Sequence, residues 1–202
     1  MKHLLLVLLT LCASLSVRAD ELQSILQMLA ARPLVRAEFS QEKTLPALKK
    51  PLHSEGQLVF AGKEGVLMFI RKPVAAQLAI TPNVLLQKTA RTQTRLRLDQ
   101  SPYGAAAGIF SQLMSGDAKK LQSSFHVEAL EKNGITWTLH LRPRDNRLQK
   151  LFRKLRISGD AYLRELHISD TSGGETLMRL TEHSSLPASL TDNERELLKL
   201  AH

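Results

Sequence analysis

Cysteine is almost missing from this 202-residue chain. Cys12 stands alone, so an intramolecular disulfide is impossible. Aromatic residues make up only 4%, too few for a platform that stacks single-stranded nucleic acid. No apolar run reaches the ~20 residues that a membrane-spanning helix needs. The chain also lacks G-x-S-x-G, H-E-x-x-H, a phosphate-binding glycine loop and a Cys pair, which removes the readable signatures of esterases, metalloproteases and nucleotide enzymes. Internal repeats, low-complexity tracts and dividing linkers are missing too. Hydrophobic residues at 43% and charged residues at 23% are ordinary for a globular chain, and exclude a disordered polymer, a collagen or a multi-span membrane protein.

What is present begins with charge. Lys and Arg number 28 against 19 Asp and Glu, a net charge of +9, which suits anionic partners. Residues 1–19 read as a secretory signal peptide: Lys2 and His3, then the aliphatic run Leu4 to Leu11, then Val17-Arg18-Ala19 with a small residue before Asp20. Leu11 before Cys12 is too large for a lipoprotein signal, so lipidation is not expected. The expected mature chain, residues 20–202, keeps 26 basic and 19 acidic side chains and no Cys, which fits the oxidising periplasm. Nucleic acid is not an expected partner of an exported chain.

Asp20 to Ala31 reads as a helix, with Leu22, Ile25, Leu26 and Leu29 on one stripe and Pro33 closing it. The period then changes to two. Val35, Ala37 and Phe39 alternate with polar residues, and so do Leu58 and Phe60 with Gln57 and Val59. Further strands are expected at Val66 to Arg71, Val74 to Thr81, Val84 to Lys88 and Thr94 to Asp99. Ser101-Pro102-Tyr103-Gly104 opens a loop, and Ala105 to Met114 reads as a helix stopped by Gly116. Strands resume at Ser124 to Glu131, Ile135 to Arg142, Arg153 to Ser158, Tyr162 to Ser169 and Glu175 to Thr181, with a short helix over Asn146 to Phe152. Thr191-Asp192-Asn193-Glu194 is a capping box for a last helix through Leu200. That makes about eleven strands and three or four helices by these pattern rules.

One hairpin admits a register prediction. An Asn133-Gly134 turn of two residues would set Val127 opposite His140 and cross the faces. A three-residue loop, Lys132-Asn133-Gly134, pairs Phe125 with Leu141, Val127 with Leu139 and Ala129 with Trp137, with Gly134 left-handed.

So long an antiparallel sheet must cover one apolar face with few helices. The economical fold is mainly β with α: an incomplete antiparallel barrel whose helices plug its opening. It leaves an apolar concavity of the kind that binds lipid-like ligands. The side chains expected to line it are Phe39, Leu58, Phe60, Met68, Ile70, Leu78, Ile80, Leu96 and Leu98, then Trp137, Leu139 and Met178 from later strands. Ile109, Phe110, Leu113 and Met114 are expected on a lid, flanked by Gly104, Gly108 and Gly116 where the backbone can move.

Other polar groups read as surface. His140 and His167 alternate with Leu on strands, and Asp145, Glu165 and Asp170 sit beside Arg or in turns. Arg142, Arg144, Arg147, Lys150, Arg153, Lys154 and Arg156 face a single acid, Asp145, within their own stretch. Internal pairing within the stretch does not explain them. They are expected to touch an anionic membrane or an acidic partner, with Arg142, Arg144, Arg147, Lys150 and Arg153 as the docking set.

Specific words then accumulate in order. Phe39-Ser40-Gln41 follows the first helix, Ser54-x-Gly56-x-Leu58 follows that, and Lys72-Pro73 closes a strand. Leu113-Met114-Ser115-Gly116-Asp117 and the Trp137 strand with Leu141-x-Pro143 come later. Together they resemble the LolA-like family of periplasmic lipoprotein carriers, over nearly the whole mature chain. Met68 stands where the family usually has Trp, and Gly62-Lys63 where lid-contacting members carry Arg-Pro. The resemblance implies a non-enzymatic, cofactor-free monomer that takes acyl chains. It would ferry a lipoprotein or a polyketide-like lipid from an inner-membrane donor complex to an outer-membrane acceptor. A lipid-sensing module that signals to a membrane protein stays open beside it.

Overall fold

The computed structural model describes residues 20–98 and 109–201. The expected signal peptide and the first residues of the expected lid, with Gly104 and Gly108, lie outside them. The first meander holds β1 (Val35–Thr44), β2 (Leu52–Ala61), β3 (Gly65–Lys72), β4 (Ala76–Ile80), β5 (Val84–Lys88) and β6 (Gln93–Arg97). The second holds β7 (Phe125–Asn133), β8 (Thr136–Pro143), β9 (Phe152–Gly159), β10 (Leu163–Asp170) and β11 (Glu175–Ser184). The described helices are α1 (20–30), α2 (109–113), α3 (Ala118–Ser124), α4 (Asn146–Gln149) and α5 (Asp192–Ala201).

All eleven strands form one sheet in the order β6-β5-β4-β3-β2-β1-β11-β10-β9-β8-β7. Each neighbouring pair is antiparallel, and β1 against β11 joins the two meanders. The edge strands β6 and β7 do not meet, so the barrel is incomplete. Its inner face carries a continuous apolar cluster across strands from both meanders. Phe39 of β1, Phe60 of β2, Leu139 of β8, Ile157 of β9 and Met178 of β11 belong to one buried cluster.

α1 fills the middle of that face. Its stripe of Leu22, Ile25, Leu26 and Leu29 is buried as the spacing predicts, each worth roughly 1.5–3 kcal/mol by area. Gln23 ties it to the next helices: its Nε2 donates to Gly116 O at 2.7 Å, and its Oε1 accepts from Ala118 N at 3.0 Å. Gly116 is left-handed at φ 72°, where it ends α2, and a Cβ there would lie 2.9 Å from Ala30. Sequence patterning missed α3. Its one local signal is Asp117, whose carboxylate accepts from Lys119 N and Lys120 N as an N-cap.

The 133–134 hairpin differs from the expected register. Asn133 pairs with Thr136, so the loop is the two residues Gly134-Ile135. The expected pairings of Val127 with Leu139 and Ala129 with Trp137 do not form. Leu130 faces Leu139, and Val127 faces Leu141, because a bulge at Glu128 shifts the register by one residue. The bulge, rather than a longer loop, resolves the conflict between faces. Gly134 does take a positive φ, 59°. An added Cβ there meets nothing within 4 Å, so only backbone strain opposes a side chain. Gly134→Val is expected to destabilise by at least ~1 kcal/mol, read as a lower urea midpoint.

The C-terminal helix corrects a second expectation. α5 does not plug the opening. Leu197, Leu198 and Ala201 pack on the outer face, against Val59, Ala61, Leu67, Ala79 and Leu86. Strands β2 to β5 are therefore buried on both faces, which is why they carry runs such as Val66-Leu67-Met68-Phe69-Ile70. The capping box forms as expected: Thr191 N donates to Glu194 Oε2 at 2.8 Å, and Glu194 N donates to Thr191 Oγ1 at 3.3 Å. Glu194 also takes a bidentate ion pair from Arg36 of β1, at 2.7 and 2.6 Å, and both side chains are buried.

Candidate functional site

Concavity and core turn out to be largely the same place. Phe39, Leu58, Phe60, Ile109, Phe110, Leu113, Trp137, Leu139 and Met178 are buried in the inner cluster, and Met68, Ile70, Ile80 and Met114 pack against it. Leu78 and Leu98 belong to a small cluster beside it, with Leu85. Leu96 differs: it lies on the edge strand β6 and is 40% exposed. Trp137 is held structurally. Its Nε1 donates to Asp160 O at 2.7 Å, and its ring lies where a side chain on Gly159 would be.

Within this interior an apolar pocket of about 240 Å³ remains. Five expected residues line it: Phe60, Ile80, Leu98, Phe110 and Met114. Val66 completes the apolar wall, and Phe110 of α2 tilts onto Phe60 with ring centroids 5.7 Å apart. The remaining lining was not among the side chains expected to wall the cavity, although the resemblance marked Gly62-Lys63 as a lid-contacting position. It comes from the β2–β3 turn (Gly62, Lys63 and Gly65), the β4–β5 turn (Thr81 and Pro82), Ser111 and Gln112 of α2, and Lys120 of α3. Gly65 takes φ 136° and a Cβ on it would stand 2.1 Å from Ile80 O, so the turn must bring backbone against backbone here. Gly56 of the Ser54-x-Gly56 word has a similar role: a Cβ would stand 2.0 Å from Phe69 O.

The basic stretch is paired more than its own sequence allows. Arg142 meets Glu128 at 2.9 Å, Arg153 donates to Asp170 O at 2.9 Å, and Arg156 meets Glu165 at 3.0 Å. Glu128 and Glu165 are acids of neighbouring strands, and Arg153 is held by a backbone carbonyl with Glu175 at 3.9 Å, so pairing outside the stretch accounts for much of its charge. Arg147 lies 3.5 Å from Asp145 and is exposed. Arg144, Lys150 and Lys154 make no ion pair among the described residues. Asp145 caps α4. The backbone N–H of Arg147, above all, holds its carboxyl below the usual range, with Leu148 N–H and the Arg147 guanidinium adding to it and partial burial opposing.

Charge is distributed unequally between the two ends of the sheet. The loops β1–β2, β3–β4, β5–β6, β8–β9 and β10–β11 share one end. They carry Lys49, Lys50, Arg91, Arg144, Arg147 and Lys150 against Asp145 alone. Exposed Leu48, Leu52 and Val74 lie at the same end, and Val74 is 70% exposed. At the opposite end Arg32 and Lys63 are balanced by Glu64 and Asp160.

Polar groups read from the sequence as surface make structural contacts. Asp170 accepts from Gly174 N at 2.7 Å, Glu165 bridges Arg156 and Arg179, and His167 meets Glu175. Among the described residues no three His, Cys, Asp or Glu side chains come together as a metal site. No described helix is long and apolar enough to cross a membrane.

The family model described as outer membrane lipoprotein carrier protein LolA-like matches residues 13–201. The chain belongs to this LolA-like family. A search of curated proteins found no match. Among solved structures, this LolA-like chain is similar to a LolA superfamily protein from Nitrosomonas europaea, with 14% identity, 85% of this chain and 95% of that one covered, and TM-score 0.48. It is also similar to the lipoprotein LppX from Mycobacterium tuberculosis, with 10% identity, 85% and 98% covered, and TM-score 0.39. A third similarity is to the MucA/MucB complex of Pseudomonas aeruginosa, with 10% identity and TM-score 0.41; 83% of this chain and 56% of that chain are covered.

Proposed function

We propose that this LolA-like protein is a periplasmic carrier. It is exported by cleavage before Asp20, takes an acyl chain into the pocket beneath α2, and ferries acylated cargo from the inner to the outer membrane. The observation that carries the reading is the contact of Phe110 with Phe60. A short helix is wedged against the sheet by the same side chains that wall the pocket, so lifting it would lengthen the apolar space for a chain. Native mass spectrometry of protein taken from the periplasm tests this. An acylated species should stay bound to a chain beginning at Asp20. A ligand-free protein that also ignores added fatty acids would sink the reading.

The cationic end supplies the membrane contact. Six basic side chains on its loops, with exposed Leu48, Leu52 and Val74 beside them, suit an anionic lipid surface. The pocket wall uses the turns of the opposite end, so holding the membrane and holding the chain are separable. Changing Arg144, Arg147 and Lys150 together to Glu should weaken binding to anionic vesicles at least ~10-fold at low salt, while acyl affinity in solution and thermal stability stay unchanged. Arg153 is left out because its guanidinium is used by Asp170 O. Unchanged vesicle binding would remove these loops from the docking surface.

A further inference from the structure

The pocket is not chemically neutral at its margin. Lys63 of the β2–β3 turn and Lys120 of α3, both solvent-exposed, line its rim, and neither makes an ion pair among the described residues. The acids nearest to them in sequence do not line it: Glu64 is exposed next to Lys63 in the same turn, and Asp117 is occupied in capping α3. Two unpaired ammonium groups beside an apolar wall are arranged for an amphiphile with a negative head.

Gln112 adds a second, independent sign. It lines the same pocket, and its Nε2 donates to Ser124 Oγ at 2.9 Å. Ser124 is one helical turn beyond Lys120, so the amide lies alongside the lysine-bearing helix. Its Oε1 is buried and has no hydrogen-bond partner among the described residues. A buried acceptor left unpaired costs roughly as much as a lost hydrogen bond, and a ligand O–H or N–H would satisfy it.

We propose that the ligand is an acyl anion carrying a hydrogen-bond donor close to its charge. Its chain lies on Phe60, Ile80, Phe110 and Met114, its carboxylate or phosphate lies between Lys63 and Lys120, and its hydroxyl or amide N–H donates to Gln112. This rests on the acyl-carrier reading and adds the class of head.

Displacement of the neutral dye N-phenyl-1-naphthylamine from the full mature chain tests it with three probes: dodecanoate, 1-dodecanol and 3-hydroxydodecanoate. The expected order is 3-hydroxydodecanoate tightest, then dodecanoate, with dodecanol about tenfold weaker than dodecanoate. Lys63→Gln with Lys120→Gln should bring dodecanoate down to dodecanol and leave dodecanol unchanged. Gln112→Met should erase only the advantage of the 3-hydroxyl. Lauryl phosphate in place of dodecanoate then tells a phosphate head from a carboxylate. Equal binding of dodecanoate and dodecanol to the unmodified protein overturns the anionic head while leaving the acyl reading intact. If no probe displaces the dye, the acyl reading itself fails, and the head class falls with it.

Discussion

Phe110→Glu is expected to lower affinity for a fluorescent fatty acyl probe at least ~10-fold while the far-UV circular dichroism stays native. Phe110 is a buried member of the inner cluster that also walls the pocket and rests on Phe60. Loss of its apolar contact with a chain removes ~1.5–3 kcal/mol, enough for a tenfold change or more. The new carboxylate would border a pocket whose rim carries Lys63 and Lys120, rather than the closed part of the core. Leu113 is the control. It belongs to the same helix, is fully buried and does not line the pocket. Leu113→Ala should cost about 2–5 kcal/mol of stability through the void it leaves. A Phe110→Glu protein that unfolds like a core mutant would make α2 an ordinary core helix. Hydrogen exchange gives a second reading, because a lid must open more readily than the central strands.

Arg36→Met is expected to destabilise the protein by about 3–5 kcal/mol, the cost of leaving a buried charge alone. Glu194 accepts both arms of the Arg36 guanidinium, and Arg36 also donates to Pro187 O at 2.8 Å and Ser189 O at 3.0 Å. One side chain of β1 thus holds the start of α5 and the segment before it. The pH dependence has a definite sign. Burial alone would raise the Glu194 carboxyl, but hydrogen bonds from Arg36 and Thr191 outweigh it and hold the carboxyl below its ordinary value. A lowered folded value means that the contribution is fully present above the unfolded value, about pH 4.3, and is lost as pH falls through the folded one. Acid denaturation curves should therefore converge: the difference between the unmodified protein and Glu194→Gln shrinks below about pH 4. A difference that is constant with pH would show that the ion pair contributes nothing as a charge.

What could be read without coordinates was whatever rests on neighbours in the chain. Alternation placed the strands with one solvated face, and the turn residues Gly62 to Gly65, Pro73 and Pro82-Asn83 bounded the apolar runs buried on both faces. The 3.6-residue stripe placed α1, and the Thr191 to Glu194 spacing placed the start of α5, since both are made by bonds within four residues. Phe60, Ile80, Leu98, Phe110 and Met114 of the pocket were legible as apolar positions on inward faces. The rest depended on partners remote in sequence. The stripe of Leu197, Leu198 and Ala201 shows that α5 buries a face but not which one; Val59, Leu67 and Leu86 on the convex side decided it. The Glu128 bulge follows from a competition between turn and face that only the paired strands resolve. Arg142, Arg153 and Arg156 looked unpaired because Glu128, Glu175 and Glu165 reach them from other strands of the sheet. Lys63, Gln112 and Lys120 come from three separate elements and share no pattern, so only the packing of α2 and α3 over the β2–β3 turn brings them to one pocket.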